Sequence, residues 1–340
     1  MNRILATLTA LMLAACAPAA TEMAKQEERS RAREGGIGGT GIQLAEGGVG
    51  GTGAPWAGAR GTVTGFGSIH VNGLRVTFPP EGALDPSGAR VREAEIALGE
   101  TVEVVGRQTG PDTVEAAYAF VPRAVVGPVD RVFRGGRQLS VLGADIRVEP
   151  GAPVVDAATG APVTLAKGDR VAVSALPAGD RLIASRIERL GAGASGVAYG
   201  VVRNGTIHNI GILGVEGLPE GVPVRVTGRV VGDSIAAQSV ERGLLASLAS
   251  PLDELSVEGF LVGNPRAPTG YVIDGFGTPM DAASRVRALR GDRAIFIGAL
   301  DPEAFRVRHG LTLPDDAPAR VRLLEGLEGG FAPAGAVETR

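Results

Sequence analysis

Four times along the chain a glycine precedes an alternating apolar run at the same spacing. The copies are Gly99-Glu100-Thr101-Val102-Glu103-Val104, Gly168-Asp169-Arg170-Val171-Ala172-Val173, Gly221-Val222-Pro223-Val224-Arg225-Val226 and Gly291-Asp292-Arg293-Ala294-Ile295-Phe296. A period of two puts the apolar side chains on one face of a half-buried strand and excludes a helix. Each run follows a hairpin-like segment, at 61–76, 127–148, 200–215 and 257–279, and Asn72-Gly73 is a tight-turn signal in the first. Each is followed by one more strand-like stretch, at 113–121, 180–190, 233–242 and 304–311. Self-similarity at this period means repeated supersecondary units. With 52 Gly and 22 Pro among 340 residues, turns and strands are favoured over helices. The expected fold class is all-β, with tandem small β-barrel or OB-like units of four or five antiparallel strands.

The expected units are 61–124, 125–190, 196–243 and a diverged fourth at 255–313, with a C-terminal tail at 314–340. Ahead of them, Met1–Arg3 carries one positive charge and Ile4–Leu13 is an apolar run too short to span a bilayer as a mature helix, which reads as a signal peptide over 1–15. Leu13-Ala14-Ala15-Cys16 looks like a bacterial lipobox, so Cys16 is the expected lipidation site and palmitate the kind of group it carries. Cys16 is also the single cysteine, which excludes an internal disulfide. Two or three acyl chains anchor a protein stably to a membrane leaflet. Ala17, where inner-membrane retention has Asp, directs the expectation to the outer membrane. The stretch 16–60 is expected to be a disordered tether. It holds Glu34-Gly35-Gly36-Ile37-Gly38-Gly39-Thr40-Gly41 and its near copy Glu46-Gly47-Gly48-Val49-Gly50-Gly51-Thr52-Gly53. Gly36, Gly38 and Gly41, and again Gly48, Gly50 and Gly53, satisfy G-x-G-x-x-G. Gly191, Gly193 and Gly196 do so as well. None is placed between a strand and a helix, as a dinucleotide site requires, so no nucleotide cofactor is expected.

Gly61-Thr62-Val63-Thr64-Gly65-Phe66-Gly67-Ser68-Ile69-His70-Val71-Asn72-Gly73, preceded by Gly-Gly-x-Gly-Gly-Thr-Gly and followed by the strand at 98–106, resembles the bacterial domain-of-unknown-function family 5666. The likeness is best over about residues 35–190 and fades in the last two units. It implies an exported, β-rich, repeated protein and supplies no catalytic residue. The chain departs from the pattern in its shortened third unit and in Asn264-Pro265-Arg266-Ala267-Pro268, which interrupts the fourth hairpin.

Candidate chemistry is sparse. His70, His208 and His309 each neighbour strand-forming residues, and none lies in H-E-x-x-H or His-x-His, so no metal site is expected. His70 and His208 both fall in hairpin segments; they read first as partly exposed strand positions, with a shared structural or recognition role as the alternative. Ser68 lacks the glycine two residues on that a nucleophile elbow uses. Asp315-Asp316 reads as an exposed turn, Asn204-Gly205-Thr206 as a hairpin turn, and Trp56 as an anchor packing the tether on the first unit. The net charge of -3, with Lys25 and Lys167 the only lysines, argues against nucleic acid as a partner. The expected function is non-enzymatic binding or scaffolding for an envelope protein or polysaccharide, with barrel strand faces in series making weak contacts. The alternatives are a hydrolase or transferase on an envelope polymer, which needs a paired acid and base in a cleft, and a purely structural spacer.

Overall fold

The first barrel arises from the alternating runs just described. Its strands are β1 (Trp56–Gly65), β2 (Ile69–Val71), β3 (Leu74–Thr77), the short β4 (Ala83–Leu84) and β5 (Arg90–Val91), then β6 (Thr101–Gln108) and β7 (Thr113–Phe120). β1 pairs antiparallel with β2 and β6, β2 with β3, β6 with β7, and β3 runs parallel to β7, so five strands close on themselves. The second barrel repeats this with β8 (Val125–Phe133), β9 (Gln138–Val141), β10 (Ala144–Val148), the short β11 (Val154–Asp156), β12 (Arg170–Ala178) and β13 (Arg181–Arg189). The circuit β8-β9-β10-β13-β12-β8 again contains one parallel contact, between β10 and β13. Closure abolishes the exposed edge that an open five-stranded sheet would present.

The third repeat comprises β14 (Ser195–Val201), β15 (Thr206–Ile207), β16 (Ile210–Leu213), β17 (Pro223–Val231) and β18 (Ser234–Arg242). The fourth has β19 (Leu252–Gly263), β20 (Tyr271–Ile273), β21 (Arg293–Leu300) and β22 (Phe305–Thr312). Both keep the strand order, with isolated bridges where the full barrels have longer ladders: Arg203 with Thr206, and Met280 with Phe305. Asn264 to Gly270 forms only the tip of the β19–β20 hairpin, so the prolines lengthen that loop without breaking the unit. The repeated Gly99, Gly168, Gly221 and Gly291 all have φ between +79° and +89°, which explains glycine at this step of every copy.

The structure is a computed structural model and describes residues 42–44, 54–281, 283–284, 291–326 and 337–338. Cys16, the signal segment and both glycine-rich copies at 34–41 and 46–53 lie outside the described residues. The barrels are not beads in line. β1 of the first pairs in parallel with β19 of the fourth, Ala57 opposite Glu254 through Arg60 opposite Val257, while β8 and β14 join the second and third. One apolar cluster runs through the second and third barrels, from Val129 and Leu139 to Val224 and Ile235. Two others fill the first and fourth.

One expected boundary moves, and parts of the tether and tail join the fold. β1 starts at Trp56, inside the stretch read as tether, because its pairing with β6 begins at Trp56 opposite Arg107. Further up the tether, Ile42 exchanges backbone hydrogen bonds with Ser247 and Ala249, and Leu44 is buried. The tail contains the helix α1 (Ala317–Glu325) and β23 (Val337–Glu338), the latter paired with β22. Asp316 caps α1, its carboxylate accepting from Ala319 N at 2.8 Å. Among the described residues no helix is long and apolar enough to cross a membrane.

Candidate functional site

Two places collect polar side chains, and the repeat builds both. In each barrel the first strand carries a glycine at a matching step: Gly61, Gly127, Gly200 and Gly259. A Cβ on the first three would collide with Asn72, Leu142 and His208, at the hairpin turn of the same barrel, and one on Gly259 with Ile273, at the end of β20. The turn thus lies flat on the strand, and a side chain there can reach the carbonyl just before the glycine. Asn72 Nδ2 donates to Arg60 O at 3.0 Å, and His208 Nε2–H donates to Tyr199 O at 2.9 Å. Asn72 and His208 share left-handed φ values of 57° and 53°. The structural counterpart of His208 is therefore Asn72. His70 instead sits half-buried within β2 opposite Arg75, as the strand reading has it, and the alternative of a role shared with His208 does not hold.

The residue before the glycine is Arg60, Tyr199 or Glu258 in three of the barrels, and each meets ionisable groups from a neighbouring barrel or strand. Glu103 accepts from the Tyr199 hydroxyl at 2.5 Å and from Leu245 N at 3.1 Å, and lies 3.6 Å from Arg60 Nε. Glu258 accepts from Arg293 Nε at 2.7 Å and Thr62 N at 2.6 Å. Arg293 also binds Glu149, whose other oxygen accepts from Arg320 Nη2 at 2.7 Å. Two glutamates and two arginines, all buried, form a neutral cluster joining the second barrel, the fourth and α1. Burial raises the Glu258 carboxyl, but Arg293 and Arg320 outweigh it and hold the group below its ordinary value. Burial, with Glu103 adjacent, pushes the Tyr199 hydroxyl well up, so it stays a donor. Most polar atoms of these groups are taken up in mutual hydrogen bonds, which makes them a structural lock, while Arg60 Nη1 and Arg320 Nε are buried without a hydrogen-bond partner among the described residues.

Burial lowers the His208 pKa, so the native ring is neutral. A group depressed in the folded state contributes stability above its unfolded value that is lost as pH falls through the folded one. The protein should accordingly lose stability on acidification below about 6.5, the ordinary histidine value. His208→Asn, which keeps a side chain suited to the left-handed turn, should flatten urea-midpoint profiles over that interval. An unchanged slope would exclude His208 as the cause.

The second place is the outer face of the second barrel. A β-bulge between Val129 and Arg131 shifts the side-chain parity of β8. Val129 points into the core, while Arg131 and Phe133 point out, and Phe133 is 44% exposed. Opposite Phe133 lies Gln138 on β9, then Arg147 on β10, then Ile183 on β13, a single rung across four strands. The next rung holds Arg131, Ser140 and Asp145. The β8–β9 tip adds exposed Arg134 and Arg137. The Arg131 guanidinium stands 5.5 Å from the Phe133 ring centroid. Arg131, Arg134, Arg137 and Arg147 have no carboxylate partner among the described residues. Asp130 is engaged by Ser140 Oγ and Gly143 N, both at 3.0 Å. No sequence motif marked this face. The alternation of Arg131, Phe133 and Arg147 against buried neighbours was a usable signal, hidden by the bulge.

The remaining candidates have structural places. Ser68 Oγ accepts from Arg75 Nε at 3.1 Å, and its backbone N–H donates to Glu93. His309 is half-buried on β22 opposite Ile297. Asp315 and Asp316 are exposed at the start of α1. Asn204 and Gly205 take left-handed values of 51° and 72° while Arg203 and Thr206 exchange two backbone bonds, a tight hairpin as expected. Trp56 begins β1, with Arg107 stacked 4.1 Å from its ring centroid. Gly196 lies in β14, a strand and not a nucleotide loop. Among the described residues no group of three or more His, Cys, Asp or Glu is arranged to hold a metal ion.

No curated protein and no solved structure matches the chain. The family likeness falls on the barrel whose outer face carries the arginines: residues 126–188, from β8 into β13, match the family described as Domain of unknown function (DUF5666), and the chain resembles that family there.

Proposed function

We propose that the protein is a lipid-anchored envelope protein whose barrels bind an extended partner, protein or polysaccharide, without catalysing a reaction on it. The observation that carries the reading is the exposed aromatic and arginine face of the second barrel. Side chains there are free to meet a ligand, whereas Tyr199 is engaged by Glu103 of the first barrel, Glu258 by Arg293, and the half-buried His208 by the Tyr199 carbonyl. A small barrel presents such a strand face to polymers.

The test is co-sedimentation of the purified full chain with an isolated membrane-and-wall fraction, together with an assay for soluble fragments released from it. Saturable binding without release supports the binding reading. Release of fragments that stops on substitution of a single ionisable residue would place an envelope hydrolase first. Deleting the first barrel is a poor substitute for this experiment, since β1 covers one side of β19 and Thr62 contacts both Glu258 and Arg293. The anchor is tested separately: Cys16→Ser should move the protein from the membrane fraction to the soluble one or arrest its processing. Unchanged fractionation and mobility would remove lipidation from the proposal.

A further inference from the structure

We infer that the outer face of the second barrel, built on β8, β9, β10 and β13, binds an acidic polysaccharide whose chain crosses the strands. The inference deepens the binding reading and rests on it. Several arginines elsewhere are matched with carboxylates, Arg123 with Glu100 and Glu188, Arg189 with Asp156, Arg203 with Asp274, Arg225 with Glu241. In a chain of net charge -3, four arginines without a carboxylate partner among the described residues are gathered on this one small face, where an external anion would neutralise them. Asp145 shares the rung of Arg131, and Asp130 is the bulged residue beside it, so two carboxylates stand against four guanidiniums and the face keeps a positive surplus.

The chemistry of the rung selects the kind of anion. Guanidinium presents a planar fork of donors that matches a carboxylate at two points. Phe133 offers an apolar plate for the C–H face of a sugar ring, and Gln138 beside it offers both a donor and an acceptor for hydroxyls. Strands are spaced by about 4.8 Å, so Phe133 and Arg147, two strands apart on the same rung, stand about 10 Å from each other. A chain lying across the strands meets apolar, amide and cationic groups in turn. A single-stranded nucleic acid fits less well, because such chains are held by successive bases stacking on several aromatics, and this face exposes one. The first barrel repeats the device in part, with Phe66 exposed at the corresponding β1–β2 tip and His70 opposite Arg75 on the adjacent rung. Two such faces on one chain would strengthen attachment to a polymer carrying many sites.

The experiment titrates the full chain in detergent with polygalacturonic acid, neutral dextran and poly(dT), at low and at physiological salt. Polygalacturonic acid should bind, more weakly as salt rises, and dextran should not. Phe133→Ala and the pair Arg131→Ala with Arg147→Ala should each weaken binding by about tenfold or more. Arg147→Lys, which keeps the charge and loses the fork, should fall between wild type and Arg147→Ala. Arg266→Ala, on the exposed tip of the fourth hairpin, should have no effect, and unchanged thermal midpoints would show that the variants remain folded. Undiminished affinity of the face variants overturns this site. Equal, salt-insensitive affinity for dextran overturns the acidic class while leaving the binding module intact. Tighter binding of poly(dT) reassigns the face to nucleic acid, and no binding of any polymer overturns the inference. The envelope co-sedimentation decides the broader reading independently of all four results.

Discussion

Arg293→Met is expected to cost on the order of 3–5 kcal/mol of folding stability, the usual penalty for removing one partner of a buried ion pair. Arg293 is 1% exposed and is held by Glu258, Glu149 and Thr62 Oγ1 at once. Methionine fills much of the volume but leaves two buried carboxylates sharing Arg320, which lies 2.7 Å from Glu149 and 3.6 Å from Glu258. Urea unfolding read by near-ultraviolet circular dichroism measures the loss, and a change below about 1 kcal/mol would show that the cluster is not closed in solution. Arg293→Met combined with Glu258→Gln should recover part of the loss, because it removes the unpaired charge as well. The pH dependence has a definite sign. In the wild type Glu258 is held below 4.5, its ordinary value, so its contribution is present above that pH and is lost as pH falls through the folded value. Without Arg293, burial acts on Glu258 with less opposition and the carboxyl rises. The stability difference between wild type and variant should therefore shrink on acidification, from the variant's raised Glu258 value down to the depressed wild-type one.

Gly99→Ala should destabilise by about 3 kcal/mol, and Gly168→Ala by about 1 kcal/mol. Both glycines occupy the same step of the repeat with nearly equal φ, +84° and +89°. A left-handed alanine costs about 1–2 kcal/mol, offset in part by the smaller entropy of the unfolded chain. At Gly168 nothing lies near a new Cβ, so this strain is the whole effect. At Gly99 the Cβ would stand 2.6 Å from Ser185 O of the second barrel, and Ser185 Oγ donates to Gly99 O at 2.7 Å. Relieving the clash means separating the two barrels at that contact, which adds a cost of the overpacking kind, about 1–3 kcal/mol. Equal losses for the two variants would refute the close approach.

The strand repeats were legible because each is local: valine alternation, a glycine at a left-handed step and Asn72-Gly73 or Asn204-Gly205 at a turn all act within a few residues. The relation between Asn72 and His208 was hidden, because the shared feature is the close approach of a turn to Gly61 and Gly200, and spacing along the chain pairs His208 with His70 instead. The arginine face was hidden by the β8 bulge, which reverses the inside–outside parity read from alternation. α1 was missed because the helix is short and its burial depends on Arg320 reaching Glu149, 171 residues away in sequence.

The sequence by itself determined that this chain makes four β-units of one design, since backbone preference and side-chain alternation are decided by neighbours a few positions apart. Only the tertiary structure decided that the first barrel pairs with the fourth and the second with the third. β1 carries backbone groups that can hydrogen-bond to any strand of suitable length and twist, and nothing in its own residues names β19 as the partner. What the tertiary structure adds at this junction is buried polar contact: Thr62 on β1 donates its amide to Glu258 on β19 and accepts from Arg293 on β21 at its hydroxyl, with Glu149 and Arg320 completing the cluster. Glu149 finds Arg293 and Arg320 only when the second barrel, the fourth and α1 come together.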